Sequence, residues 1–339
     1  MILFAVIIAI LFILGLRTPV AGVFGKDIVT ILKPFLAFGI VFHHLHGETV
    51  YLHEFERWGP LVVGVFFFIS GYGLTYSLNR RPGYLKGFFT DKILVKLLLP
   101  TALAFGLSLC LRQPWEEFTI LERLKCPQGP WLFVNDWFVY ALVYCYLVFI
   151  VAGRSKNALL RLSILVVGPT LLVVFTTWMG YGRNWWATPI AFSVGALYSY
   201  FEVRIRQFID GKKPYILTTA CALLFFGLLM GLSAMFKSKV STVIVYSLLP
   251  LLLVNILIRL NVRRLAQNKL ILFFSGLSFE LYLIHGIVIG YLRLGLALSG
   301  PALIVASLAT SVLAAYIFKQ ILTICKIGVS YLLPQTSVI

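Results

Sequence analysis

The stretch that decides the fold runs from Lys33 to His46 and reads KPFLAFGIVFHHLH. It has a lysine at one end of an apolar run and a cluster of histidines, including His43 and His44, at the other. At 100° per residue, Lys33 and His44 fall on one face of a helix, about 16 Å apart along its axis. Ionisable side chains within an apolar segment of membrane length indicate a functional site.

The rest of the chain is as apolar as this stretch. Of its 339 residues, 60% are hydrophobic and 12% are charged, and the mean hydropathy is +0.95. This composition excludes a water-soluble protein and predicts an integral membrane protein. Apolar runs of about 20 residues recur along the whole chain between short charged loops, which predicts an all-α, polytopic bundle of transmembrane helices.

About ten core helices and one short N-terminal helix are predicted from these runs. The first run, Met1 to Leu16, has no basic residue before it and no convincing cleavage site, which favours a retained helix over a signal peptide. The chain then divides into an N-terminal helix and loop (1–27), a membrane domain (28–326) and a C-terminal tail (327–339). The predicted core spans are 28–46, 58–79, 93–111, 131–152, 158–178, 185–202, 215–236, 240–259, 271–293 and 299–326.

The net charge is +17, and strongly basic loops alternate along the chain with loops that are nearly neutral. One set holds 20 Lys and Arg against 4 acidic residues, and the other holds 8 against 6. The basic set is 17–27, 80–96, 154–161, 202–213, 259–269 and the C-terminus from Lys319 onwards. Because Lys and Arg concentrate in cytoplasmic loops, this set is predicted to be cytoplasmic, which places Lys33 towards the cytoplasm and His44 towards the far side. The charge therefore needs no nucleic-acid partner, and five cysteines without a CxxC pair predict neither a disulfide framework nor a zinc site.

His44 and Asp136 are the candidate catalytic residues. An imidazole can take a proton from a hydroxyl at neutral pH, so His44 is a candidate general base; an interfacial histidine that caps the helix end is the alternative. His43 and His46 suggest a metal site, but no third ligand at suitable spacing accompanies them and no metal is predicted. Asp136 should lie at the depth of His44 and orient its ring, or pair with another membrane cation.

The candidate donor-binding residues lie towards the cytoplasmic side. Lys33 could bind donor phosphates or extend to the lipid headgroups. Lys92 and Lys96, four residues apart on one helical face, could do the same or merely follow the cytoplasmic bias of basic residues. Ser70 and Tyr72 flank Gly71 in an aromatic span. These three residues either allow close helix packing or border a donor channel.

A late helix carries the last polar group. Ser278, Tyr282 and His285 recur at spacings of four and three and share one face, whereas Glu280 points elsewhere on that helix. They form either a polar network that fixes helix packing or a second wall of a reaction chamber.

Together, these residues resemble the acyltransferase-3 family of integral membrane acyltransferases. The Lys33-x10-His44 pair resembles the basic-x10-His motif on the family's first core helix. Phe66 to Tyr72 resembles its Phe-Phe-x-Ile-Ser-Gly-Tyr segment, and Ser278 to His285 resembles its late Ser-x-x-x-Tyr-Leu-x-His signature. The chain departs from the family where Arg-x-x-Arg usually precedes a proline.

The resemblance implies transfer of an acyl group, most simply acetyl, from cytoplasmic acyl-CoA to a hydroxyl of an envelope glycan or its lipid-linked precursor. It implies acyl-CoA as a donor substrate with no permanently bound cofactor, and a location in the bacterial inner or plasma membrane in contact with lipid. Where the family has Arg-x-x-Arg, this chain has Lys92-x3-Lys96-x3-Pro100. A glycan or lipid transporter, or flippase, is the alternative, and a membrane scaffold is a third. The acceptor, the acyl chain and any homo-oligomer are left open.

Overall fold

The computed structural model describes residues 24–111, 119–133, 135–236, 238–259 and 263–332, together with Ile10, Ile13 and Leu14. The described residues form helices and connecting turns, with no strand among them, so the predicted all-α class is confirmed. Apart from those three residues, the predicted helix between Met1 and Leu16 lies outside the described part of the chain.

Ten long helices in the described ranges correspond to the ten predicted core spans. They are α1 Lys26–His44, α2 Trp58–Arg80, α3 Leu99–Cys110, α4 Trp137–Gly153, α5 Ala158–Trp178, α6 Ile190–Ile209, α7 Lys212–Phe236, α8 Lys239–Leu257, α9 Lys269–Gly290 and α10 Gly300–Leu332. Shorter segments join them: a 3₁₀ helix Val50–Arg57, the α-helices Ile120–Leu124, Arg183–Ala187 and Arg263–Ala266, and the π-helical segments Phe89–Leu98 and Tyr291–Gly295.

Many of these helices are suited to a membrane. Seven segments of the described chain are long and apolar enough to cross a bilayer, and α4 is a shorter apolar helix. At 1.5 Å per residue, the 19 residues of α1 extend about 28 Å, close to the thickness of a bilayer's hydrocarbon core. The predicted polytopic membrane bundle is therefore confirmed.

Helix boundaries differ from the predictions where a turn interrupts an apolar run. The predicted span 131–152 begins as a helix only at Trp137, because Asn135 adopts a positive φ of 70° and the chain turns before the helix. The predicted span 185–202 also starts late, at Ile190. Pro189 lacks an N–H and separates α6 from the short helix Arg183–Ala187.

The most extensive helix contact joins α2 and α6, and paired glycines make it close. A Cβ at Gly71 would lie 2.0 Å from the Phe192 carbonyl oxygen, and a Cβ at Gly195 would lie 2.0 Å from the Phe68 carbonyl oxygen. The two backbones touch on both sides of the crossing, as small residues allow in membrane helix pairs. Gly71 therefore serves close helix packing.

The helices that carry the three predicted motifs are neighbours. Helix α1 packs against both α9 and α2, and α9 also packs against α10. The face with Lys33 and His44 is consequently close to the helix that carries Ser278 to His285.

Gly71→Ala should destabilise the protein, whereas Gly73→Ala should not. A methyl group at Gly71 would meet the backbone of α6, and such overpacking lowers the free energy of unfolding by about 1–3 kcal/mol. At Gly73, nothing lies within 4 Å of an added Cβ. Thermal unfolding of the detergent-solubilised variants measures the difference. Equal unfolding temperatures for the two variants would contradict the proposed close contact.

Candidate active site

A cavity of about 840 Å³ lies at the histidine end of the bundle, the end at which α1 reaches His44. Its walls come from the ends of α1 and α2, from residues 126–133 and 135–137, from residues 183–188 and from Tyr282 of α9. Its polar wall residues are His43, His44, Gln128, Asn135, Asp136, Arg183, Asn184, Thr188 and Tyr282, and its aromatic ones include Trp131, Phe133, Trp137 and Trp185.

Two loop segments that form much of this wall are joined to each other. The Gly182 N–H donates a hydrogen bond of 2.9 Å to the Gln128 carbonyl. Gly129 has a φ of +111°, and a Cβ there would lie 2.2 Å from Nε1 of Trp185. Only glycine suits this position, because it tolerates the positive φ and leaves room for the indole ring.

His44 is the histidine with an uncommitted ring. It is the last residue of α1 and lines the cavity. The centroid of its ring lies 5.1 Å from that of His285 and 4.9 Å from that of His43. Since it hydrogen-bonds to none of the described residues, its ring nitrogens are available to a molecule in the cavity.

His43 and His46 are held by backbone carbonyls instead. Nδ1 of His43 donates to the Phe55 carbonyl at 3.0 Å, and Nδ1 of His46 donates to the His43 carbonyl at 2.6 Å. The His43 ring also lies directly on the first turn of α2, where a Cβ at Gly59 would be 2.5 Å from it. Within the described ranges, no group of three or more His, Cys, Asp or Glu side chains is placed to hold a metal ion.

His285 faces His44 and has both ring nitrogens occupied. Its Nδ1 lies 3.1 Å from the Leu281 carbonyl, and since a carbonyl can only accept, Nδ1 carries the proton. Nε2 is then an acceptor, and the Asn135 side-chain amide donates to it at 3.3 Å. The Tyr282 hydroxyl donates to the Asn135 carbonyl at 2.8 Å. Asn135 thus joins two predicted residues of α9 to the cavity wall, although the sequence did not single it out.

Asp136 lines the same cavity but has other partners than His44. Its Oδ2 accepts hydrogen bonds from the N–H groups of Leu132 and Phe133, at 2.6 and 3.3 Å, and from the Tyr140 hydroxyl at 2.7 Å. The side chain is buried, and Oδ1 has no hydrogen-bond partner among the described residues. Asp136 therefore fixes the turn that presents the neighbouring asparagine.

The predicted basic residues lie near one another beside the N-terminal half of α1. Glu280 attracts the Lys33 ammonium, whereas Lys96 repels it. Lys92 is repelled by Lys96 in turn, and its Nζ lies 6.0 Å from the centroid of the Tyr84 ring. We call Lys33, Lys92, Lys96 and Glu280 the lysine cluster. None of these four residues lines the cavity.

Ser70, Tyr72 and Ser278 also lie away from the cavity wall. The Tyr72 hydroxyl is directed at the Phe24 carbonyl, at 2.5 Å, and at the Glu202 carboxylate, at 3.1 Å. Ser278 donates to a carbonyl one turn earlier in α9, at 3.0 Å. Of the predicted residues, the structure thus brings together His44, Asp136, Tyr282 and His285 at one end and the lysine cluster at the other.

This architecture is that of an integral membrane protein with a cavity whose free imidazole is suited to proton transfer. The family model of the acyltransferase-3 family, an acyltransferase domain, matches residues 27–320. The chain belongs to this family, which confirms the predicted resemblance and makes the protein a membrane acyltransferase. Among curated proteins and solved structures, no match was found.

Asn135 donates a hydrogen bond to His285 and adopts a positive φ, and the variants Asn135→Gly and Asn135→Ala should separate these two roles. Both lose the amide that donates to His285, which should cost about 1–3 kcal/mol of unfolding free energy. Only the alanine also has a Cβ at a positive φ, which glycine tolerates. We therefore expect a lower unfolding temperature for alanine than for glycine, and lowered acyl transfer by both. Wild-type stability and activity in Asn135→Gly would contradict the role of the amide.

Proposed function

We propose that this acyltransferase moves an acyl group, most simply acetyl, from acyl-CoA to a hydroxyl of a cell-envelope glycan or of its lipid-linked precursor. The observation that carries the proposal is the uncommitted His44 ring in the wall of a cavity of about 840 Å³. Such a volume falls in the range of pockets that hold small organic molecules.

His44 acts as the general base in this proposal. It takes the proton of the acceptor hydroxyl, the resulting oxygen attacks the thioester carbonyl, and the carbon–sulfur bond breaks to release CoA. His285 is not the base in this proposal, because its nitrogens are engaged with Leu281 and Asn135. A covalent acyl-histidine formed on His44 would use the same geometry.

The lysine cluster receives the donor in this proposal. Lys33, Lys92 and Lys96 present positive charge to the CoA phosphates, and Glu280 attracts Lys33. Ser70 and Tyr72 border the path along which the flexible pantetheine arm carries the thioester towards His44. Two substrates held at fixed positions react without a diffusional encounter, which lowers the entropic barrier.

The charge of the loops supports an orientation with the lysine cluster and the C-terminus in the cytoplasm, and with the cavity on the far side. We propose a bacterial inner or plasma membrane as the location. Cytoplasmic acyl-CoA then reaches one end of the bundle and the envelope glycan reaches the other.

His44→Ala should lower acyl transfer by about 10²–10⁴-fold, the usual contribution of a positioned base, while the protein remains folded and inserted. His46→Ala is the matched control, since that ring contacts a neighbouring carbonyl and does not line the cavity. Acylated product and released CoA are measured with purified protein. Undiminished transfer by His44→Ala would refute the mechanism, and acceptor movement without thioester cleavage would favour a transporter.

Lys33→Ala should raise the KM for acyl-CoA by about tenfold and leave the KM for the acceptor unchanged, because a charge-assisted contact to phosphate is lost. Lys86→Ala, in the loop after α2, removes a lysine outside the cluster and serves as the control. Initial rates over a series of acyl-CoA concentrations measure the effect. If both variants respond alike to acyl-CoA, Lys33 has no donor-binding role.

A further inference from the structure

The accessible charge of the cavity wall is positive. Among the described residues, this wall carries one side-chain carboxyl group, that of Asp136, and one guanidinium, that of Arg183. Asp136 is 1% exposed, and three donors hold its Oδ2. Arg183 is exposed, and its guanidinium makes no hydrogen bond or ion pair with a described residue. A molecule that enters the cavity therefore meets the cation but not the carboxylate.

Two acidic side chains in the described loop between α1 and α2 are engaged elsewhere. Glu48 forms an ion pair of 2.6 Å with Arg293 and also accepts a hydrogen bond from the Gly300 N–H at 2.9 Å. Glu56 lies 3.8 Å from the ring of His53. These two carboxylates have partners of their own, so neither compensates the charge of the cavity wall.

The positive charge of Arg183 acts within the cavity that His44 lines. It is one of the charges that act on His43, which lines the cavity immediately before His44. A ligand group bound by Arg183 would thus lie in the same cavity as the proposed base.

The wall around Arg183 suits a sugar. Trp185 is 6% exposed and is fixed by a stacked Tyr140 ring, with centroids 6.4 Å apart. Flat aromatic rings contact the apolar faces of a ligand, while a few amides fix its orientation. The aromatic and amide groups of the wall are Trp131, Trp137, Trp185, Gln128, Asn135 and Asn184.

We infer that the acceptor is an anionic sugar whose carboxylate or phosphate binds to Arg183 while its hydroxyl faces His44. The inference rests on the proposed acyl transfer. The anion takes no part in bond changes: the hydroxyl loses its proton to His44, the oxygen–acyl bond forms and the carbon–sulfur bond of the donor breaks. Arg183 sets which acceptor is used, because a guanidinium matches both carboxylate and phosphate through paired hydrogen bonds.

The test compares three probes with the purified full-length protein in detergent: methyl glucoside, methyl glucuronide and glucose 6-phosphate. Binding is followed by tryptophan fluorescence without acyl donor, and acyl transfer to each probe is measured separately. We expect at least one anionic probe to bind roughly 10- to 100-fold more tightly than the neutral one. Arg183→Gln should abolish that preference without weakening binding of methyl glucoside.

Arg57→Gln is the matched control. Arg57 is exposed and does not line the cavity, and its positive charge, like that of Arg183, acts on the side chain of Tyr246. Arg57→Gln therefore removes a positive charge from the same region without removing a contact to a ligand in the cavity. A preference for glucuronide alone assigns a carboxylate to the acceptor, and a preference for the phosphate assigns a phosphorylated sugar.

Equal binding of all three probes, or an equal loss in Arg57→Gln and Arg183→Gln, would overturn the inference. Because binding needs no donor, this outcome can be told apart from failure of the proposed function. If His44→Ala retains acyl transfer while the anion preference persists, the proposed mechanism fails and the binding site stands.

Discussion

The backbone contact between α2 and α6 is the constraint on which the rest of the structure depends. In a lipid environment, helices do not associate through the hydrophobic effect, so close van der Waals contact must supply the stability. Gly71 and Gly195 permit that contact because each faces a carbonyl oxygen of the other helix. With α2 fixed in this way, α1 has a firm surface on one side and α9 on the other, and the cavity forms where the ends of these helices meet the loops.

Burial of polar groups dictates the form of the site. A buried donor or acceptor without a partner costs more than its hydrogen bond contributes, and the low dielectric of the bundle increases that cost. Asp136 Oδ2, Asn135 and His285 are linked in this way, since the carboxylate holds the turn and the amide of the turn holds the ring. The imidazole of His44 lines the cavity without such a hydrogen bond, which is why it is the group that we assign to chemistry.

The ten long helices could be predicted because a membrane span needs about 20 apolar residues and leaves an unambiguous pattern. The motifs on α1 and α9 singled out His44 and His285, whose rings are neighbours in the structure. Asn135 and Arg183 were not singled out, because their importance depends on which loops meet in space. The residue type was the one local sequence signal for Asn135, since asparagine tolerates the positive φ that the structure shows there. The late starts of α4 and α6 have the same origin, in turns that composition alone does not reveal.

The division of the cavity wall between helices and loops has an evolutionary consequence. His44, Tyr282 and the end of α2 belong to packed helices, whereas residues 126–133, residues 135–136 and the helix Arg183–Ala187 belong to connections linked by the Gly182 to Gln128 hydrogen bond. Connections tolerate substitution and insertion better than packed helices do. Substitutions in these two connections can therefore change the cavity wall, while the packed helices and His44 remain in place.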